Sequence, residues 1–303
     1  MTRAALAIAL LLGGACRAPV TDREVAGDRA YGAGRYPDAY EAYAAAVAGR
    51  GGSRLWAKAA GAAFRAGRLG DAAEAWVRLA AEDPTRAGEA ADGLEEIART
   101  AAPRDTHALH AAVSGLRRVV PDRPIGAHAL ALVRRVALDG AEAVSILPQA
   151  LAAGGDRGTV DSLLLEYGEA LQATAACDEA SDAFRAVLRR SSDPGLTRDA
   201  GSGLSVCALR LGLGALADNR PADAERLLVE ASGDSATWIG RRARLGLGDA
   251  RLAQGDTAGA IEAFESAGAA AGTPDSISQL AAARLSALAA TQSAGDSART
   301  SEP

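Results

Sequence analysis

Two histidines near the middle of the chain come closest to a chemical site. His107 and His110 are three residues apart, so they share one face if this stretch is helical. Together with Asp105 they could mimic a metal-binding pair. No cysteine lies near them in the sequence, and surface histidines on a helix are the plainer interpretation. We therefore expect no metal site and no cofactor.

Catalytic motifs are absent from the sequence. It contains no Gly-x-Ser-x-Gly, no phosphate-binding glycine loop and no His-Glu-x-x-His. Gly246 and Gly248 have the spacing of a dinucleotide-binding turn, but no strand precedes them. The acidic pair Glu166 and Glu169 indicates a solvated helix face. We expect a protein that is not an enzyme.

The first residues have the pattern of an export signal. Arg3 is followed by an apolar run over 4–12 and then by Gly13, Gly14 and Ala15. This run is too short to span a bilayer as a stable helix. The sequence therefore predicts a signal peptide at 1–15 and a linker at 16–23.

The cysteine that follows resembles the lipobox cysteine of bacterial lipoproteins. In that family the cysteine is lipidated and becomes the first mature residue, which here is Cys16. The match departs from the family pattern at Gly13, where a leucine is usual. The resemblance implies a lipid anchor in a membrane. Because Arg17 is not the aspartate of inner-membrane lipoproteins, it favours the outer membrane, facing the periplasm. The alternative is ordinary signal-peptide cleavage without lipidation.

Two further cysteines, Cys177 and Cys207, would lie in an oxidising compartment if the chain is exported. They fall on consecutive predicted helices that run antiparallel across a turn near Asp193. That pairing puts Cys177 opposite about Arg210, one helical turn from Cys207. A disulfide there would stabilise the fold by roughly 3 kcal/mol. The alternative is two buried thiols that act as small apolar groups.

Composition favours close-packed helices. The chain has 303 residues, of which 49% are hydrophobic and only 4% aromatic. Alanine-rich, aromatic-poor sequences form helices readily and strands poorly. The net charge of −5 argues against a nucleic-acid-binding protein, which usually carries a basic surface.

A pattern of small and aromatic residues recurs along the chain. Each copy reads as two helices joined by a tight turn, with an alanine early in the second helix: Ala39, Ala72, Ala180, Ala224 and Ala260. The gap between Ala72 and Ala180 is about three times the usual spacing. It therefore predicts two degenerate hairpins, at 86–120 and 124–153. A longer first helix is expected from Gly195 to Ala217.

These copies resemble the tetratricopeptide repeat (TPR) family. The clearest matches are Trp56, Ala72, Trp76 and Pro84 in one copy, and Gly248, Ala260, Phe264 and Ala267 in another. The resemblance implies an all-α, right-handed α-α superhelical solenoid of about seven TPR-like hairpins with a C-terminal capping helix. It covers 24–290, is irregular at 86–153, and leaves a tail at 291–303 that we expect to be disordered. The alternative is a non-repetitive alanine-rich bundle.

In TPR arrays the first helices line a concave, partner-binding face. The resemblance therefore implies these contact residues: Tyr31, Arg54, Phe64, Arg65, Leu165, Glu169, Arg242 and Asp249. The long first helix adds an apolar stripe of Leu209, Leu213 and Leu216. This stripe could hold an apolar peptide or helix, or it could be core.

The expected function is a non-catalytic, membrane-anchored scaffold of the bacterial cell envelope. It would bind peptide or protein partners on the concave surface, in the assembly of envelope or outer-membrane complexes. It would bind no nucleic acid. An activator of a cell-wall (murein) enzyme and a glycan-binding lipoprotein are the alternatives, although few aromatic residues remain for sugar stacking.

Overall fold

The described part of the chain is helical throughout. The computed structural model describes residues 20–48, 52–234, 237–269 and 275–299. No strand occurs within these ranges, so the predicted all-α class is confirmed. The predicted signal peptide and Cys16 lie outside the described residues.

The chain divides into two compact units, Met1–Val136 and Ala137–Pro303. The first unit contains the helices α1 (Val20–Gly32), α2 (Tyr36–Ala48), α3 (Ser53–Arg65), α4 (Leu69–Glu82), α5 (Ala87–Ala101), α6 (Thr106–Val119) and α7 (Gly126–Val133). A 3-10 turn at Pro84–Arg86 joins α4 to α5. Helix α1 packs on α2, α3 on α4, and α5 on α6. These pairs match three of the predicted hairpins.

The second unit contains the helices α8 (Gly140–Ala152), α9 (Arg157–Ala173), α10 (Cys177–Arg190), α11 (Pro194–Ala217), α12 (Pro221–Ala231), α13 (Trp238–Ala253), α14 (Thr257–Gly268) and α15 (Ser276–Arg299). Three hairpins follow one another: α9 with α10, α11 with α12, and α13 with α14. Helix α15 packs on the last of them. The long first helix predicted from Gly195 to Ala217 corresponds to α11.

The repeated alanines lie in the interior of the hairpins. All five are fully buried: Ala39, Ala72, Ala180, Ala224 and Ala260. A larger side chain there would push the two helices apart, since the interior is packed as densely as an organic crystal. The predicted packing positions of the second helices are therefore correct.

A glycine on the first helix receives the large side chain of the second helix in four hairpins. The pairs are Gly27 with Tyr43, Gly168 with Phe184, Gly212 with Leu228, and Gly248 with Phe264. A Cβ atom at each glycine would lie under 3.0 Å from the side chain it faces. Close approach of the helices, rather than a ligand, explains these glycines.

The turn between the two helices uses the left-handed backbone region at one repeated position. Three hairpins place glycine there, with φ of 72° at Gly34, 75° at Gly67 and 85° at Gly255. Ala175 and Asn219 occupy the same position with φ of 68° and 57°. Glycine adopts this region freely, whereas an alanine is strained in it.

Three predicted boundaries differ from the structure. Helix α1 begins at Val20, inside the predicted linker, because Val20 packs against the core that contains Tyr43. The boundary between the two units falls after Val136, inside the stretch predicted as one hairpin at 124–153. The sequence predicts a disordered tail from 291, but α15 continues to Arg299. No proline interrupts 276–299, and alanine favours the helix there.

Candidate functional site

The histidine pair lies on one helix face, as its spacing predicts. His107 and His110 both line a groove between α4 and α6. The Asp105 side chain caps α6 by accepting a hydrogen bond from the Ala108 N–H at 2.9 Å. Among the described residues no group of three or more His, Cys, Asp or Glu side chains could hold a metal ion.

The two cysteines are buried neighbours in the second unit. Cys177 begins α10 and Cys207 lies in the middle of α11, and both belong to one apolar cluster. Burial, followed by a hydrogen bond with the Cys177 side chain, raises the pKa of Cys207 to about 12. The structure contains them as free thiols, so the disulfide stays a prediction that their proximity permits.

On the first-helix face of the first unit, charged side chains bind one another. The Lys58 ammonium contacts Glu24 at 2.7 Å and Asp28 at 2.7 Å, and Arg54 contacts Glu24 at 2.8 Å. Hydrogen bonds from Lys58 and then from the Tyr43 hydroxyl lower the pKa of Asp28. A partner at this face would first have to displace these internal ion pairs.

The remaining predicted contact residues of that face differ in exposure. Tyr31 is 37% exposed and packs edge-on against Tyr36, with the ring centroids 5.2 Å apart. Phe64 is half-buried and Arg65 is exposed at the end of α3. Tyr31 and Phe64 are therefore only partly available to a partner, whereas Arg65 is accessible.

On the first-helix face of the second unit, three carboxylates have no such partners. Glu166 and Glu169 lie on α9, and Asp199 lies on the neighbouring helix α11. None of the three forms an ion pair with another described residue. Burial, and then the charge of Asp199, raises the pKa of Glu169. Burial and the charge of Glu169 raise the pKa of Glu166 in the same way.

Two of these carboxylates, Glu169 and Asp199, border a groove between α9 and α11, which we call the acidic groove. It has a volume of about 380 Å³ and is lined by Glu169, Gln172, Ala173, Asp199, Ser202, Gly203 and Val206. Gly203 brings α11 close, because a Cβ there would collide with the ring of Phe184. Glu169 is thus the one predicted contact residue that lines this groove.

The predicted leucine stripe belongs to the core. Leu209 is 7% exposed, and Leu213 and Leu216 pack against the same cluster. Leu165, expected on the open face, is also only 7% exposed and belongs to the cluster around Phe184. Neighbouring helices cover these side chains, so neither the stripe nor Leu165 offers an open apolar groove.

At the end of the second unit, charged residues attach the terminal helix. Asp249, a predicted contact residue, accepts a hydrogen bond from Arg284 of α15 at 2.9 Å, whereas Arg242 is half-buried. The buried Arg241 binds both carboxylate oxygens of Asp275, each at 2.8 Å. The hydrogen bonds from Arg241 are the largest cause that holds the pKa of Asp275 far below its usual range, and a hydrogen bond from the Ser278 N–H is the next.

Helix α11 is the one described helix long and apolar enough to cross a membrane by length and composition. It packs against α9, α10, α12 and α13. Cys207 and Ala208 in its middle are fully buried. These contacts are typical of the core helix of a helical protein.

Comparison with known proteins gave no match: no protein-family model matches the chain, and no curated protein matches it.

Proposed function

We propose that this chain is a non-catalytic scaffold that binds protein or peptide partners on the first-helix face of its hairpins. Its hairpins would stack as a right-handed TPR-like solenoid of about seven hairpins, with α15 as the capping helix. The equivalent buried alanines and the repeated left-handed turn position support this arrangement. Cys16, once lipidated, would anchor the scaffold to the outer membrane on its periplasmic side.

The observation that carries the proposal is the acidic groove. Several carboxylates in this chain pair with an arginine or lysine of a neighbouring helix, as Glu225 does with Arg251 at 3.0 Å. Glu166, Glu169 and Asp199 form no ion pair with a described residue, and Glu169 is repelled by both of the others. Like charges held close together without a counter-charge are unfavourable in the free protein, and this repulsion is relieved when an opposite charge binds.

The partner should therefore present lysine or arginine side chains to α9 and α11. Gln172 and Ser202 add hydrogen-bonding groups beside the carboxylates. An association built on such exposed charges weakens as salt is added, because the Debye length falls from ~10 Å at 0.1 M to ~3 Å at 1 M.

Affinity purification from cross-linked cell envelopes tests this proposal. The wild type is compared with a Glu169→Lys, Asp199→Lys double variant. The matched control carries Glu262→Lys and Glu265→Lys, which change the same charge at exposed positions of the second helix α14. The proposal predicts a stoichiometric partner with the wild type and the control, and its loss with the groove variant. Equal recovery with all three proteins would contradict the acidic groove, and no stoichiometric partner would contradict the scaffold.

The anchor is tested separately by labelling cells with radioactive palmitate. We expect label on the wild type and none on a Cys16→Ala variant. If the wild type carries no label and the variant fractionates with it, the lipid anchor is wrong.

A further inference from the structure

A second groove lies in the first unit. It runs between the second helices of two hairpins, whereas the acidic groove runs between first helices. Helices α4 and α6 pack side by side, and a groove of about 540 Å³ runs between them. A narrower extension of about 160 Å³ continues it towards Pro84 and Val119. Val77, Ala81 and Arg118 line both parts, so the two form one continuous groove, which we call the α4–α6 groove.

The groove has an apolar floor. Its apolar lining residues include Val77 and Ala81 of α4 and Ala111 of α6. The extension is almost entirely apolar, with Pro84 and Val119 at its end. Such a floor gains free energy when an apolar side chain covers it, by ~25 cal/mol for each Å² removed from water.

The rim of the groove is polar and carries an unmatched positive charge. Glu74 and Arg78 lie 3.6 Å apart, and both side chains are more than half exposed, so this pair is weak. Arg118 is exposed at the junction of the two parts and forms no ion pair with a described residue. Some arginines of the same unit pair with carboxylates, as Arg68 and Arg123 do, whereas Arg65 and Arg135, like Arg118, form no ion pair with a described residue. A carboxylate is the group that would complement the Arg118 charge.

The shape of the groove selects a helix as its occupant. The helix backbones of α4 and α6 are already hydrogen-bonded, so they cannot pair with an extended strand. A third helix can lay a ridge of side chains into the furrow between two packed helices. The lining residues of α4 run from Gly70 to Ala81, a rise of about 17 Å, or about three helical turns.

We propose that the α4–α6 groove binds an acidic amphipathic helix of a partner protein. Its apolar side chains lie on Val77, Ala81 and Ala111, and one of its carboxylates pairs with Arg118. This surface is formed by second helices of the first unit, so it is distinct from the acidic groove of the second unit. The α4–α6 groove prefers an acidic partner, whereas the acidic groove prefers a basic one.

A designed peptide probe tests this proposal on the full-length protein. The probe is a fluorescein-labelled amphipathic helix of about four turns with leucines at i, i+4 and i+7 and flanking glutamates. Its control keeps the leucines and replaces every glutamate with lysine. Fluorescence anisotropy should show saturable binding of the acidic probe and at least ~5-fold weaker binding of the lysine probe.

Two variants locate the binding. Arg118→Glu reverses the unmatched charge, and Ala81→Trp fills the groove from an exposed position that the fold does not need. Each should weaken the acidic probe by ~10-fold or more, whereas Arg135→Glu, an exposed charge reversal outside the groove, should leave it unchanged. Circular dichroism confirms that each variant is folded.

Four outcomes would overturn the proposal. The first is no saturable binding of the acidic probe, and the second is equal binding of both probes. The third is binding of the acidic probe that survives both Arg118→Glu and Ala81→Trp. The fourth is binding of the protein to anionic lipid vesicles that displaces the acidic probe. The last would assign the groove to a membrane surface instead.

Discussion

Replacing Gly248 with alanine should destabilise the second unit, although alanine is the better helix former. A Cβ at this position would lie under 3.0 Å from three atoms of the Phe264 ring. Phe264 is fully buried, so its ring has no open space into which it can move. The matched control is Gly214→Ala in α11, because no atom lies within 4 Å of the Cβ it adds.

The expected magnitudes follow from these two environments. Alanine gains about 1 kcal/mol over glycine from helix propensity at either site. At Gly248, overpacking against Phe264 costs ~1–3 kcal/mol and outweighs the gain in helix propensity. At Gly214 no overpacking occurs, so the gain in helix propensity remains. We therefore expect the free energies of unfolding of the two variants to differ by ~2 kcal/mol, with opposite signs relative to the wild type.

Urea denaturation followed by circular dichroism measures both variants. A Phe264→Leu background provides the decisive comparison, because the ring that Gly248 accommodates is then absent. In that background Gly248→Ala should be much less destabilising, with a coupling energy of ~1 kcal/mol or more. If Gly248→Ala is as stable as Gly214→Ala, or if the two substitutions are additive, close packing does not explain the glycine.

Three other predictions follow from particular residues. Ala175→Gly should stabilise the fold by ~0.5–1 kcal/mol because φ there is positive, and a lower urea midpoint would contradict the strain. The pKa of Asp275 is lowered on folding, so its pairing with Arg241 stabilises the protein above its ordinary pKa of 3.8 and is lost as the pH falls below that value. The unfolding free energy of Asp275→Asn, measured from about pH 6 to about pH 2, should therefore fall less than that of the wild type; an identical pH dependence would refute it. Because the pKa of Cys207 is raised to about 12 and both thiols are buried, iodoacetamide should label Cys177 and Cys207 of the reduced protein only after unfolding, as mass spectrometry can show; labelling of the reduced native protein would refute this.

The repeated packing positions could be predicted from the sequence because their signal is local. Ala260, Phe264 and Ala267 share one helix face by spacing alone, and the structure buries all three. Gly255 likewise marks its turn. Ala175 and Asn219 hold the same turn conformation, but a non-glycine residue gives no comparable signal, so the sequence does not mark these turns.

Features that depend on distant partners could not be predicted in the same way. Arg241 and Asp275 are far apart in the sequence, and neither belongs to a sequence motif that predicts their pairing. The spacing of Leu209, Leu213 and Leu216 fits either an open stripe or a core, and only the neighbouring helices decide that they are core. The α4–α6 groove lies partly in the degenerate stretch 86–153, where the repeat pattern assigns no face.

Site-specific photo-cross-linking tests the central claim most directly. A photoreactive amino acid is placed at Ser202, an exposed residue of the acidic groove, and for comparison at Glu262, an exposed residue of α14. In irradiated cells, the scaffold account predicts one discrete cross-linked partner from Ser202 and none from Glu262. It also predicts that Glu169→Lys abolishes the Ser202 product. Equal products from both positions, or a product that persists with Glu169→Lys, would contradict binding in the acidic groove.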